Sequence, residues 1–473
     1  MSKLTRWRRH AAALSVVALV LAACGNGEDA DEPDAPDDDE EVVDDEPDDD
    51  VDEDDADEPD DAEEDAAPEE IETGLGITEE PCPEEVNPDN GCIYLGILSD
   101  LSEGPFAPLG VEIVAGQEDF WERVNEDGGI AGQFDVNVTE YTRDTLYDPQ
   151  THSSEYRSIE PDILALAQTL GTPPTEAILP DMDIDNVVGH PAGWWSGQQF
   201  SDQDQGLILD SGYSYCMEAQ VGLDYVADEV ADFDSVFVVG FPGDYGGDFN
   251  AGAEAWAEAT GAEHLGFAET GTNALVGNQD AAVGAVLESG ADVVGLAVGP
   301  AEAAEIVGGA VAEGFEGQFI GSVPTWNPGI MDSPAAPALE AAFLHIGPWE
   351  PFDGGSDAHA AMQDAMGGEM PANDGYTFGW IWSYPLLSVL ENAAANGDLT
   401  REGVRAAAGE TVVDYEGALP DRDYSLDGGE GAPRVAVVSR PNSEVDTQLE
   451  VLATDVTGET AEAFDYSEPC IVP

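Results

Sequence analysis

The chain has 473 residues, 42% of them hydrophobic, and carries 102 Asp and Glu against 12 Lys and Arg, a formal net charge of −90. Nucleic acid is excluded as a partner, because binding phosphates needs clustered basic side chains. Thirty-five of the acids lie between Gly25 and Gly91; from Cys92 onward 67 remain against eight Arg, about −59, which points to salty surroundings that screen self-repulsion, or to a general bias toward Asp and Glu.

In chain order, the first segment puts Lys3, Arg6, Arg8 and Arg9 ahead of an apolar run from Ala11 to Leu21, which closes on Leu21-Ala22-Ala23-Cys24-Gly25. That is the form of a secretory signal of the lipoprotein kind over 1–23, with Cys24 as first mature residue and bearer of lipid. The run is shorter than the ~20 residues that span a bilayer. The protein is therefore expected on the extracytoplasmic face of the cell membrane, held by a lipid anchor. Residues 24–91 are mostly Asp, Glu, Pro and Ala. They hold too little apolar surface to offset chain entropy, and their like charges extend them, so an acidic disordered tether is expected. No Asp-x-Asp-x-Asp-Gly loop with a closing Glu is present, so a solvated spacer is preferred to a calcium site.

Four further cysteines form an even set in an oxidising compartment. Cys82 and Cys92 bracket a turn-rich loop that a disulfide closes easily, and elimination leaves Cys216 with Cys470, which would pin the C-terminus to the body. The spacing fits no zinc site, and neither metal nor cofactor is expected.

The remaining residues alternate strand and helix. Ile93–Leu98 is a short apolar strand; 111–125 has helical spacing through Val114, Phe120, Trp121 and Val124 and ends at Gly128-Gly129; 135–141 alternates like a strand; 159–166 is a weaker stretch broken by Pro161. A second series has strands at 236–239, 265–268, 292–296 and 318–320, with helices at 250–260, 279–289 and 301–313. Such alternation predicts an α/β fold with parallel sheets flanked by helices, whose ligands sit at the carboxyl ends of the strands.

Five segments in order carry a resemblance. They are Leu98-Ser99-Asp100-Leu101-Ser102-Glu103-Gly104-Pro105-Phe106-Ala107-Pro108-Leu109-Gly110, the Asn125-Glu126-Asp127-Gly128-Gly129-Ile130-Ala131-Gly132 turn, Tyr141-Thr142-Arg143-Asp144 with Asp148-Pro149, Phe241-Pro242-Gly243-Asp244-Tyr245-Gly246, and 376–392 with Trp380 and Trp382. Together, over about 92–440, they resemble periplasmic binding proteins of type 1, the leucine-isoleucine-valine kind, which are substrate-binding lipoproteins of ABC transporters. The resemblance implies two Rossmann-like lobes joined by a three-crossing hinge: lobe one at 92–212 plus 345–412, lobe two at 213–344 plus 413–440, with 441–473 as a C-terminal extension. It implies a monomer that captures a small-molecule solute between the lobes and delivers it, chemically unchanged, to an ABC transporter permease in the membrane. The solute class implied is a branched-chain amino acid, an amide or a related compound.

The same resemblance nominates site residues. Ser102 and Phe106 lie on the first ligand loop, and Thr172 fits the hydroxyl that takes a solute carboxylate. Thr175 shares that role or caps the following helix. Trp194 stands where family members often have Ser or Thr; Tyr245 fits the cleft tyrosine; Trp326 lies on the later loop 321–327. That loop holds no acid to pair an ammonium group, and Gly299-Pro300-Ala301 lacks the usual aromatic, so a neutral amide, an aromatic acid or another small polar solute stays beside the amino acid. Asp100 and Glu103 are the acids available on loop one.

An enzyme is disfavoured. The chain has no Gly-x-Ser-x-Gly elbow, no His-Glu-x-x-His and no Gly-rich phosphate loop, and its six His are scattered. The alternative to transport is a sensing lobe that feeds a membrane receptor.

Overall fold

The computed structural model describes residues 70–83, 86–426 and 428–472; the expected signal peptide, Cys24 and the tether as far as residue 69 lie outside the described residues. The fold starts earlier than the composition suggested. Glu72–Thr73 pairs with Asp398–Leu399, and Ile77–Thr78 adds antiparallel to the start of strand Gly91–Ser99. Asn87 and Asn90 donate to the Asp135 carboxylate at 2.8 and 2.9 Å. Residues 72–83 and 86–91 thus belong to the fold and not to the tether expected over 24–91, because a few apolar residues and a cross-link there outweigh a still acidic composition.

Lobe one is built on Gly91–Ser99. Its Ile93, Leu95, Ile97 and Leu98 are fully buried, as a central parallel strand requires. Phe134–Asp144 pairs parallel on one side and Ala165–Thr169 on the other, and single bridges carry the sheet on to Gly189 and Ile208. Helices Ala107–Glu126, Pro149–Ile159 and Thr172–Asp185 connect the strands. Helix Gly375–Ile381 packs on Ala107–Glu126 through glycine: a Cβ on Gly379 would sit 1.9 Å from the Ile113 carbonyl oxygen, so only Gly permits this approach.

Lobe two holds a seven-stranded sheet in the order Leu449–Val456, Ala436–Pro441, Phe343–Gly347, Gln318–Gly321, Val293–Ala297, Ser235–Gly240, Glu263–Glu269. The last five are parallel and the first two antiparallel. Helices Asp244–Thr260, Asp280–Ser289 and Pro300–Ala312 link the parallel strands, and Tyr215–Tyr225 leads in. The chain passes between the two sheets near 209–214, 348–356 and 425–435. The border expected at 344/345 falls inside Phe343–Gly347, which belongs to the second sheet. Residues 413–424 stay with lobe one, where Arg422 and Tyr424 bond Asp210, and part of the expected extension, Leu449–Val456, is an edge strand.

Cys82–Cys92 and Cys216–Cys470 are both bridged, with Cα separations of 4.8 and 6.4 Å. Among the described residues no helix is long and apolar enough to cross a membrane.

Candidate functional site: a cleft between the lobes

The strand ends of both sheets converge on one opening. After Ser99 the buried Asp100 carboxylate accepts from the Gly104 and Phe106 amides at 3.0 and 2.8 Å, which curls the loop and presents Phe106. Burial raises the Asp100 pKa, and those amides oppose the shift. After Thr169, Gly171 adopts φ 88° and starts the helix at Thr172. After Gly240, Gly243 at φ 89° does the same for Asp244 and Tyr245. Ala297 leads to Pro300 and Glu302, and Gly321 leads to Pro324 and Trp326.

Between these loops lies a chamber of about 840 Å³, walled by Phe106, Leu109, Tyr147, Phe241, Leu275, Pro300, Pro324, Trp326 and Ile330, with Glu103 and Glu302 as its acids. Phe106, Leu109, Tyr147 and Pro324 also line a narrower inner recess of about 50 Å³, completed by Thr172, Trp194, Tyr215, Asp244, Tyr245, Phe378 and Trp382. Neither part is lined by Lys, Arg or His. Among the described residues no three His, Cys, Asp or Glu converge as a metal would need.

Five of the seven nominated residues meet here: Phe106 and Trp326 in the chamber, Thr172, Trp194 and Tyr245 in the recess. Their presentation differs from expectation. The Tyr245 hydroxyl donates to the Val298 carbonyl at 3.1 Å and meets Ser322 Oγ at 2.5 Å, so the ring, not the hydroxyl, is offered to the cleft. The Trp194 indole packs among Tyr215, Trp349, Phe378 and Trp382, with centroids 5.0–6.0 Å apart. Thr172 lines the recess together with Asp244 of the opposite lobe; burial raises the Asp244 pKa and the Thr172 side chain opposes it.

Two nominees are elsewhere. The Thr175 hydroxyl is shared with Thr169 at its Oγ1 and carbonyl, 2.9 and 3.0 Å away, because the helix turns that residue back onto the strand end. Ser102 is exposed and bonds the Asp144 carboxylate at the loop's outer side. Trp195 is structural, donating to the Ile471 carbonyl at 3.2 Å.

Sequence reasoning missed Tyr147 and Glu302. Tyr147 adjoins the quoted Asp148-Pro149 pair, and its ring lies edge-on to Phe106 at 4.8 Å. Burial holds its phenol well above the usual range. Glu302 is 6% exposed, at the third position of helix Pro300–Ala312, and accepts from the Asn273 amide at 2.7 Å. Only its count from Gly299, the loop already singled out, pointed there.

Solved structures share this fold. A fatty acid ABC transporter substrate-binding protein from Thermomonospora curvata is 26% identical, covers 84% of this chain and 98% of its own, and superposes with a TM-score of 0.73. A branched-chain amino acid ABC transporter protein from Thermus thermophilus with bound valine, 16% identical, covers 79% and 98% at a TM-score of 0.64. The LivJ substrate-binding protein of Streptococcus pneumoniae in complex with isoleucine, 15% identical, covers 78% and 99% at 0.62. No curated relative matches the chain. Two parallel-sheet lobes, a cleft at their strand ends and three crossings are the type 1 arrangement, residues 93–440 match the family model, and the chain accordingly belongs to the periplasmic binding protein family.

Proposed function

We propose that this protein captures an apolar-bodied solute in the interlobe cleft and delivers it to an ABC transporter permease, working from the outer face of the membrane to which a lipid on Cys24 anchors it. The observation that carries the reading is the chamber of about 840 Å³ with aromatic, Leu, Ile and Pro walls. Pockets of 300–1,000 Å³ suit ligands larger than a single amino acid. The Thermomonospora curvata neighbour, named for fatty acid, agrees with an apolar cargo. Binding drives closure because the solute touches both lobes only when they meet, so its extra affinity for the closed form sets the population. The solute is released unchanged, and the permease reads the closed shape.

Each methylene buried in such a chamber contributes about 0.8 kcal/mol, roughly fourfold in affinity. Calorimetry in molar NaCl with a homologous series from butyl to decyl compounds should show that increment until the chamber is full. Phe106→Ala and Trp326→Ala should each weaken the longer members most. A flat series, or tightest binding to valine or leucine, would overturn the apolar reading. Cys24→Ser should release the protein from membranes without unfolding it.

A further inference from the structure

We propose that the polar end of this solute is cationic, a protonated amine, and that the cleft is set against carboxylates; the inference rests on the apolar-bodied solute above. Four helices begin at the cleft: Ala107–Glu126, Thr172–Asp185, Asp244–Thr260 and Pro300–Ala312. Helix N-termini ordinarily attract anions through free amides and the helix dipole. Here each is blunted. Pro108, Pro173 with Pro174, and Pro300 remove amide donors from three first turns. Carboxylates occupy the rest: Asp100 takes the Gly104 and Phe106 amides ahead of the first helix, Asp244 opens the third, and Glu302 stands in the first turn of the fourth.

The seat on Thr172, where a solute carboxylate was expected, already faces the protein's own Asp244. No cation is at hand to replace it. Of the eight Arg beyond Cys92, six are held in ion pairs and Arg434 donates to main-chain carbonyls, and none lines the cleft. A carboxylate entering this apolar space would be desolvated beside Glu302 and Asp244 with nothing to neutralise it.

An ammonium group meets the opposite situation. Glu302 is nearly buried, lines the chamber, and has one oxygen committed to Asn273. The faces of Phe106, Tyr147, Phe241 and Trp326 around it attract cations. The strongly negative surface raises the local concentration of cations at the mouth.

The test uses the full chain in molar NaCl and three probes with one tail: octylamine, octanol and octanoate, measured by calorimetry at neutral pH. The amine should bind roughly tenfold or more tighter than the alcohol, and octanoate weakest. Glu302→Gln keeps an acceptor for the Asn273 amide; it should bring the amine to within about threefold of the alcohol and leave the alcohol unchanged. Octanoate equal to or tighter than octylamine would overturn the inference while leaving the apolar reading intact. Equal losses for all three probes in Glu302→Gln would also overturn it, since they would make Glu302 a purely structural cap. If none of the three binds and the homologous series is flat, the apolar reading itself fails.

Discussion

The two lobes solve the same electrostatic problem differently. Lobe one places six Arg in ion pairs: Arg123–Glu416, Arg143–Glu155, Arg157–Asp181, Arg401–Glu160, Arg405–Asp183 and Arg422–Asp210. Residues 213–347, which form most of lobe two, contain 21 acids and neither Lys nor Arg. Its buried carboxylates are met by neutral donors instead. Asp248 accepts from the Ser196 amide and hydroxyl at 3.0 and 2.5 Å and from the Cys216 amide at 3.2 Å. Glu218 accepts from the Val323 amide at 2.8 Å and the Tyr213 hydroxyl at 3.2 Å. The consequence is visible in their protonation. Burial raises Glu416, but Arg123 and Tyr384 outweigh it and hold its pKa below the usual range. Burial pushes Asp248 up to about 7 despite its donors, and Glu218 well above the usual value. The Arg pair holds the half-buried Glu416 charged, whereas at the fully buried Asp248 and Glu218 burial outweighs the neutral donors.

The largest expected effect follows from the unpaired acids of lobe two. Lowering NaCl from molar to millimolar should lower Tm by several degrees or more, because screening is lost. In hydrogen exchange the amides of Ser235–Gly240 and Val293–Ala297 should lose protection before those of Gly91–Ser99. Simultaneous loss would erase the distinction between the lobes.

Next comes Arg401, 5% exposed, which bonds Glu160 at 2.5 Å and also reaches the Ile163 and Asp185 carbonyls. Arg401→Ala leaves a partly buried carboxylate unpaired and should cost about 3–5 kcal/mol in denaturant unfolding. A cost below about 1 kcal/mol would rank the pair with ordinary surface pairs.

Asp248 gives a smaller, pH-dependent effect. Its folded pKa of about 7 lies above the ordinary 3.8, so its neutral form contributes stability that is full below about 4 and lost as pH rises through 7. Between those values it lowers unfolding free energy by up to about 1.4 kcal/mol per pH unit. Asp248→Asn should remove that slope, read as the parent-minus-variant difference in chemical unfolding across the range. An unchanging difference would mean that Asp248 is charged throughout. The smallest effect belongs to Ser102→Ala, since that hydroxyl serves Asp144 and not the cleft; affinity should stay within about twofold, well under the loss of one hydrogen bond to solute.

Strands were the most legible parts of the sequence. Runs such as Val236-Phe237-Val238-Val239 can only be buried, and they are. Helix starts were less so. The helix expected at 250–260 begins six residues earlier, at Asp244, with Gly246-Gly247 inside it and Tyr245 and Phe249 buried on the lobe-two core. Tyr215–Tyr225 escaped notice because ten of its eleven residues are buried, which leaves no amphipathic period to read. The late resemblance segment 376–392 folds as two helices, parted at Trp382–Ser383 ahead of Pro385. Within the site, Phe106, Thr172, Trp194, Tyr245 and Trp326 were reachable through loop motifs, but the direction of the Tyr245 hydroxyl depends on how lobe two brings its own loops together, and the facing of Thr172 to Asp244 on how the lobes meet. No local pattern encodes that.

The Cys216–Cys470 bridge does more than fasten a chain end. Cys216 is in the helix that leads into lobe two, while the tail it holds touches the segment ahead of the first crossing: Trp195 donates to Ile471, the Cys470 amide to Ser196 at 3.0 Å, and Tyr466 to Gln199 at 2.7 Å. The tail is in effect a check-strap across one side of the hinge. A strapped hinge samples fewer open geometries, so closing surrenders less entropy. On the apolar-bodied reading proposed above, a mouth strapped in this way should open less widely and so favour a slender chain entering end-on over a bulky ring system.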